Sequence, residues 1–186
     1  MTDSSDGSSA TTLLVDRDDE EPDQCLTFDV VTESGDWLLF EPIADHLQNV
    51  SRVIERHLEL PAKQCEVCLA LCSDDKVRQL NAQYRGKDSA TNILSFPSPP
   101  LIAEQSAPYL LGDLAVADQT LLSEADTSDT PRAAHFTHIL LHGVLHLLGF
   151  DHLEEQAAKE MEELETMMLA ELDIADPYEG AELLQA

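Results

Sequence analysis

Residues 142–152 read HGVLHLLGFDH and place three of the chain's seven histidines at gaps of four and then six residues. Four apart on an α-helix, His142 and His146 project from one face, one turn above the other, close enough to grip a single cation. His138 extends the row upstream but is out of reach of the same ion, because 138 to 146 spans roughly 12 Å at about 1.5 Å per residue. The third ligand therefore has to come from outside the helix. Gly149 supplies the means. A glycine three residues past His146 can end the helix in a left-handed conformation and turn the chain back, so that His152 delivers a nitrogen to the same ion. His135 and His138 are expected to pack behind the ligands rather than to bind the metal.

Three neutral imidazoles suit one Zn²⁺ ion better than Ni²⁺ or Cu²⁺ in a cell, and they leave the fourth tetrahedral position to water. Water held in that way ionises near pH 7, so an open site of this kind implies chemistry. The spacing HxxxHxxGxxH is also that of the metzincin proteases, which carry a glutamate next to the first histidine as general base. Here that position is Gly143. Without the carboxylate a peptidase lacks its proton shuttle, and peptide hydrolysis is disfavoured.

A length of 186 residues with 43% apolar composition supports one domain with a real core. Residues 1–24 form an acidic tail expected to be disordered, 25–180 the domain, and 181–186 a short C-terminal tail. The opening has no basic stretch followed by an apolar block, and no run reaches the ~18 apolar residues that span a bilayer, so a soluble, cytoplasmic protein with no membrane partner is expected. Cys65, Cys68 and Cys72 lie close in QCEVCLALCS. Strand-like alternation sends Cys65 to one face and the other two to the opposite face roughly 13 Å apart, which rules out a shared ion. The net charge of −27, from 37 acidic residues against ten Lys and Arg, repels polyanions and, taken alone, argues against nucleic acid. A carboxylate-rich surface of this kind suits a salty environment, where screening relieves self-repulsion.

Along the chain, LTFDVV (26–31) alternates as a first strand and Pro42 opens a helical pattern through about Leu58. QCEVCLALC is a second strand. Ser73, with Asp74 and Asp75, reads as the N-cap and acidic first turn of a helix that ends near Gly86. ILSF (93–96) and LGDLAVA (111–117) read as strands. Pro131 sits at the start of the histidine helix, and a last helix runs from about Leu153 through Ala157, Met161, Leu164 and Met168, stopping before Pro177. Strands and helices mingle without strict alternation, which predicts an α+β domain with a small mixed sheet and the metal site at the end of a central helix.

With the glycine in place, HGVLHLLGFDH closely resembles the signature of the YbeY family, bacterial zinc-dependent endoribonucleases also described as rRNA maturation factors. LNAQYRGKDSATNILSFP (80–97), LLGDLAVA (110–117), AHFTHILLHGVLHLLGFDH and KEMEELETMM follow the family's order and spacing. Ala90 departs from it, standing where many members have proline before Thr91, and so does the acidic N-terminal extension. The resemblance implies a zincin-like fold, zinc on His142, His146 and His152, and a functional Arg85. It also implies cleavage of single-stranded RNA in maturation of the 16S rRNA 3′ end and in ribosome quality control, with the small ribosomal subunit and the GTPase Era as partners.

Beside the resemblance, YRGKD gathers two of the ten cations around a glycine. The planar fork of Arg85 matches phosphate oxygens, and Lys87 offers a second, less directional contact. Two rival readings remain at this stage: a ribosome-assembly factor with a structural zinc, and a metal-dependent hydrolase of another phosphoester or amide. The sequence leaves open whether water or the RNA's own 2′-OH is the nucleophile. It shows no obvious general base. With so few cations, naked RNA is expected to bind weakly, docking being supplied mostly by the ribosomal partner.

Overall fold

Alternating apolar residues in LTFDVVT and CEVCLALC produce strands β1 (Leu26–Thr32) and β2 (Cys65–Cys72). The computed structural model, which describes residues 25–99, 108–152 and 154–179, lays these two strands side by side in parallel. The acidic tail 1–24 and the C-terminal tail 181–186 lie outside the described residues. β4 (Tyr109–Ala117) runs parallel to β2 on its other side, and β3 (Ile93–Pro97) pairs antiparallel with β4, giving the order β1-β2-β4-β3. The sheet is thus mixed, as the interleaving of strands and helices predicts.

Among the described residues five α-helices surround it: α1 (Ile43–His57), α2 (Asp74–Arg85), α3 (Asp118–Thr127), α4 (Arg132–Leu147) and α5 (Glu155–Ala170). The main core joins the face of the sheet bearing Leu26, Val67, Leu69, Leu114 and Val116 to α1, α4 and α5. A smaller cluster of Cys72, Val77, Leu94, Ala115 and Ala117 fills the other face beneath α2. Cys65 lies in the first cluster and Cys72 in the second, so the alternation does separate them. Burial pushes the Cys72 thiol up to about 11, so it stays protonated.

α4 is the central helix and packs against α1, α3, α5, β3 and β4. Phe136, Leu140, Leu141, Val144 and Leu145 are buried along it, a gross hydrophobic contribution on the order of 10 kcal/mol. At Gly143 the helix presses onto the sheet. A Cβ there would come within 2.5 Å of Ile93 Cδ1 and 3.0 Å of Leu114 Cδ2. The position that carries glutamate in a metzincin is therefore, in this chain, where helix meets sheet.

Three local details differ from the reading of the sequence. Pro42 and Pro131 stand one residue before their helices, in extended conformation, rather than inside the first turn. Ser73 occupies the N-cap position of α2 without capping it through its side chain. Instead its N–H donates to Ser34 Oγ at 2.9 Å, and its hydroxyl accepts from Ser34 at 3.1 Å, which ties the end of β2 to the loop after β1. The helix α3 was not anticipated. Its first turn is satisfied partly by its own Asp118, which accepts from Gln119 N–H (2.8 Å), and partly from a distance, by Asp74 accepting from Thr120 N–H (3.0 Å) and from the Thr120 hydroxyl (2.7 Å).

β3 forms one edge of the sheet. Its register with β4 turns the backbone polar groups of Ile93, Ser95 and Pro97 outward, since the bonded pairs fall on the residues between them, with Ala117 N–H donating to Asn92 O and Ser98 N–H to Leu111 O. Ile93 N–H is taken by Asn92 Oδ1 at 2.7 Å, and Ser95 C=O by Arg85 Nη2 at 3.2 Å. Pro97 has no N–H to offer. Among the described residues, no helix is long and apolar enough to cross a membrane.

Candidate metal centre

The last turn of α4 closes as a Schellman motif. Gly149 has φ +94°. Phe150 N–H donates to Leu145 O and Gly149 N–H to His146 O, each at 3.1 Å. The chain reverses at the glycine, and the carbonyl of Phe150 returns to accept from His146 Nδ1 at 2.9 Å. One ring along, His142 Nδ1 lies 3.3 Å from Glu165 Oε2. A carbonyl only accepts, so His146 carries its ring proton on Nδ1, and an ionised carboxylate draws the His142 proton to Nδ1 in the same way.

That assignment decides what the other nitrogens can do. In that tautomer His142 Nε2 and His146 Nε2, 3.1 Å apart, turn lone pairs toward each other. Two facing lone pairs repel. A cation between them removes the conflict, and tetrahedral Zn–N bonds of about 2.0–2.1 Å require an N···N separation of about 3.3 Å. His152 completes the group: ligand atoms of His142, His146 and His152 all lie within 4.8 Å of one another. The His152 ring stands 4.9 Å from that of His146 and 5.9 Å from that of His142, and its exposure leaves the far side of the cluster to solvent. Burial, and then the neighbouring His142 and His152, push His146 below the usual imidazole range, against the pull of the Phe150 carbonyl. The ring is thereby kept in its neutral, ligating form at pH 7. The three imidazoles fit a zinc ion with an open corner.

Glu165 is the member the sequence did not disclose. It is fully buried on α5, between Met161 and Met168 on the apolar side of that helix. Its Oε1 lies 3.2 Å from His138 Nε2, and its Oε2 accepts from both His142 and the Tyr178 hydroxyl. Burial alone would raise its pKa, but the hydrogen bonds and charges of His138 and His142 outweigh it and hold the carboxyl down at about 2. Burial and the adjacent Glu165 push the Tyr178 phenol well up, so it remains a donor. His138 precedes His142 by one turn on α4, and its ligand atoms with those of His142 and Glu165 also fall within 4.8 Å of one another. In that second group His142 meets Glu165 Oε2, while Oε1 is buried without a completed hydrogen bond. His135 is likewise engaged elsewhere, with Glu124 at 2.9 Å. The one sequence signal for Glu165 is a charged residue at an apolar position of the stripe through Met161 and Met168.

Arg85 ends α2, and Gly86 closes the helix at φ +70°. Its guanidinium reaches Ser95 O, and the Ser95 hydroxyl contacts Gly143 O at 3.4 Å, one residue from His142. Five of the chain's ten Lys and Arg form ion pairs among the described residues: Arg56, Lys76, Arg78, Arg132 and Lys159. Arg85 and Lys87 form none there. Arg52 and Lys63 form none there either, but of these four cations only Arg85 and Lys87 lie two residues apart, a concentrated positive spot in a chain of net charge −27. Tyr84 stands 62% exposed beside them, edge-on to Phe96 at 5.3 Å.

The sequence profile of the family described as "Endoribonuclease YbeY" matches residues 38–173. The chain belongs to the YbeY family. The YbeY of Rhizobium meliloti (strain 1021) is 42% identical over 163 residues, covering 82% of this chain and 95% of that protein. The YbeY of Ruegeria pomeroyi is 38% identical, over 82% of this chain and 98% of its own. That of Rhodopseudomonas palustris reaches 49% over a shorter span of 116 residues, 62% of this chain and 61% of that one. The solution structure of TM1509 from Thermotoga maritima superposes with a TM-score of 0.51 at 25% identity, over 78% of this chain and 87% of that one. The YbeY match takes in Arg85, the three histidines and Glu165, and stops short of Tyr178.

Proposed function

We propose that this YbeY-family chain is a zinc-dependent endoribonuclease of single-stranded RNA. On this reading it acts in 16S rRNA 3′-end maturation and ribosome quality control, with the small ribosomal subunit and the GTPase Era as partners. The observation that carries the metal is the approach of His142 Nε2 and His146 Nε2 to 3.1 Å, with each ring anchored at its opposite nitrogen by an acceptor. His142, His146 and His152 would hold the ion. Bound there, Zn²⁺ supplies a Lewis acid for a phosphoryl oxygen and an acidified water.

The chain's own residues account for the rest. Arg85 would grip the scissile phosphate in its planar fork and stabilise charge as it develops on the phosphoryl oxygens, with Lys87 holding a neighbouring phosphate. Its freedom from any carboxylate partner among the described residues supports that role. The exposed side of the three-histidine cluster favours chemistry over a structural zinc, which four protein ligands would seal.

Cleavage of a small-subunit rRNA precursor by zinc-loaded and chelator-treated protein tests the proposal. Activity is expected only with metal, and Arg85→Ala is expected to lower kcat/KM by about 10²–10³ with unchanged Tm. Equal cleavage by the stripped protein, or by Arg85→Ala, would overturn it. Product ends identify the nucleophile, since a 2′,3′-cyclic phosphate requires attack by the RNA's own 2′-OH.

A further inference from the structure

We propose that Glu165 is a positioning residue for the metal, fixing His142 in the tautomer that presents Nε2 to the ion, and that Tyr178 and His138 hold the Glu165 carboxylate in place for that task. The inference rests on the metal reading above and extends it to residues outside the ligand set.

An isolated neutral histidine has two tautomers, and His142 has a partner on each side. Protonated on Nε2, it would donate to His146 Nε2 at 3.1 Å and satisfy both rings without any metal. Its Nδ1 lone pair would then face Glu165 Oε2 at 3.3 Å, lone pair against carboxylate. Protonated on Nδ1, it donates to the carboxylate and frees Nε2. An ionised Glu165 therefore decides between a closed histidine pair and an open metal site. His146 needs no such help, because the Phe150 carbonyl fixes its tautomer from within its own turn.

The surroundings of Glu165 match this role. Buried carboxylates are ordinarily paired with a cation, yet its partners are two imidazoles and a phenol, with no Lys or Arg in contact among the described residues. Oε1 is the less satisfied oxygen: His138 approaches it at 3.2 Å without completing a well-angled hydrogen bond. A divalent ion on the far nitrogen of His142 supplies the missing positive charge through the ring. Tyr178 comes from the segment after α5, and its ring meets His138 edge-on at 6.2 Å, so this segment closes over the carboxylate. Carboxylate–histidine–metal relays of this form raise ligand basicity, and their loss costs about 10–100-fold in metal affinity.

The experiment measures Zn²⁺ affinity by competition with a chromophoric chelator for the wild type, Glu165→Gln and Tyr178→Phe, with Tm of the metal-free proteins alongside. Nitrogen shifts of the His142 ring in metal-free wild type, at a pH where the ring is neutral, are read by NMR. Expected are a 10–100-fold loss for Glu165→Gln, a smaller loss for Tyr178→Phe, and the Nδ1–H tautomer of His142 in the wild type. A wild type that fails to bind zinc overturns the metal reading itself. Zinc binding by the wild type with a Glu165→Gln affinity within about twofold of it overturns the positioning role alone. Should Glu165→Gln fail to fold, the tautomer decides: Nε2–H in the metal-free wild type overturns the proposal, and Nδ1–H sustains it.

Discussion

At the scale of residues, the spacing of His142, His146 and His152 makes their convergence readable, because a helix repeats its face every four residues and a glycine is the cheapest way to reverse a chain. Gly149 then becomes the testable hinge of that argument. At φ +94°, with open space where a Cβ would go, Gly149→Ala suffers only backbone strain, about 1–2 kcal/mol. The expected outcome is a Tm about 3–6 °C lower and weaker zinc binding by chelator competition, because His152 is displaced. Glu165 was not readable in the same way. It is one of several glutamates in EEQAAKEMEELETMM, and only its place between Met161 and Met168 separates it from its solvated neighbours. Its titration gives a second prediction. The folded pKa of about 2 lies below the ordinary 4.5, so its contribution to metal-free stability is complete above about pH 4.5 and is lost as the pH falls towards 2. Denaturation curves across that window should fall more steeply for the wild type than for Glu165→Gln, and parallel curves would refute the assignment.

At the scale of elements, the strands and four of the five helices follow from period-two and period-3.6 patterning, and α4 follows from its histidines as much as from its leucines. The fifth, α3, is harder to read because its first turn leans in part on Asp74, 46 residues before Thr120, a contact that no local window contains. Ser73 misled for the complementary reason: a serine at a cap position was claimed by Ser34 across the sheet. The bulge where β4 shifts register against β2 holds Gly112 at φ +149°, and a Cβ there would lie 2.3 Å from Phe96 O. Backbone cannot step aside as a side chain can, so Gly112→Ala is expected to cost about 3 kcal/mol, near 10 °C in Tm. Because β3 carries Ser95, which links Arg85 to α4, the same variant should lose RNA cleavage beyond what its reduced folded fraction explains.

At the scale of the molecule, the charge of −27 is the dominant fact of the surface and the one that sequence reading left in tension with an RNA substrate. Five of the nine described cations are neutralised in ion pairs, and of the four that are not, Arg85 and Lys87 stand together two residues apart. Self-repulsion of this size should be screened by salt, so Tm is expected to rise between low and molar KCl, by about 2–4 °C for each kcal/mol relieved. A flat profile would show that the acidic surface imposes no strain on the fold. The outer rim of β3 carries one more consequence. Ile93 N–H and Ser95 C=O are already engaged and Pro97 has no N–H, so the outward groups left to an incoming strand are the Ile93 carbonyl, the Ser95 N–H and the Pro97 carbonyl, an interrupted ladder. A strand added along that rim would meet fewer donors than an open edge offers, so pairing there is weakened rather than abolished.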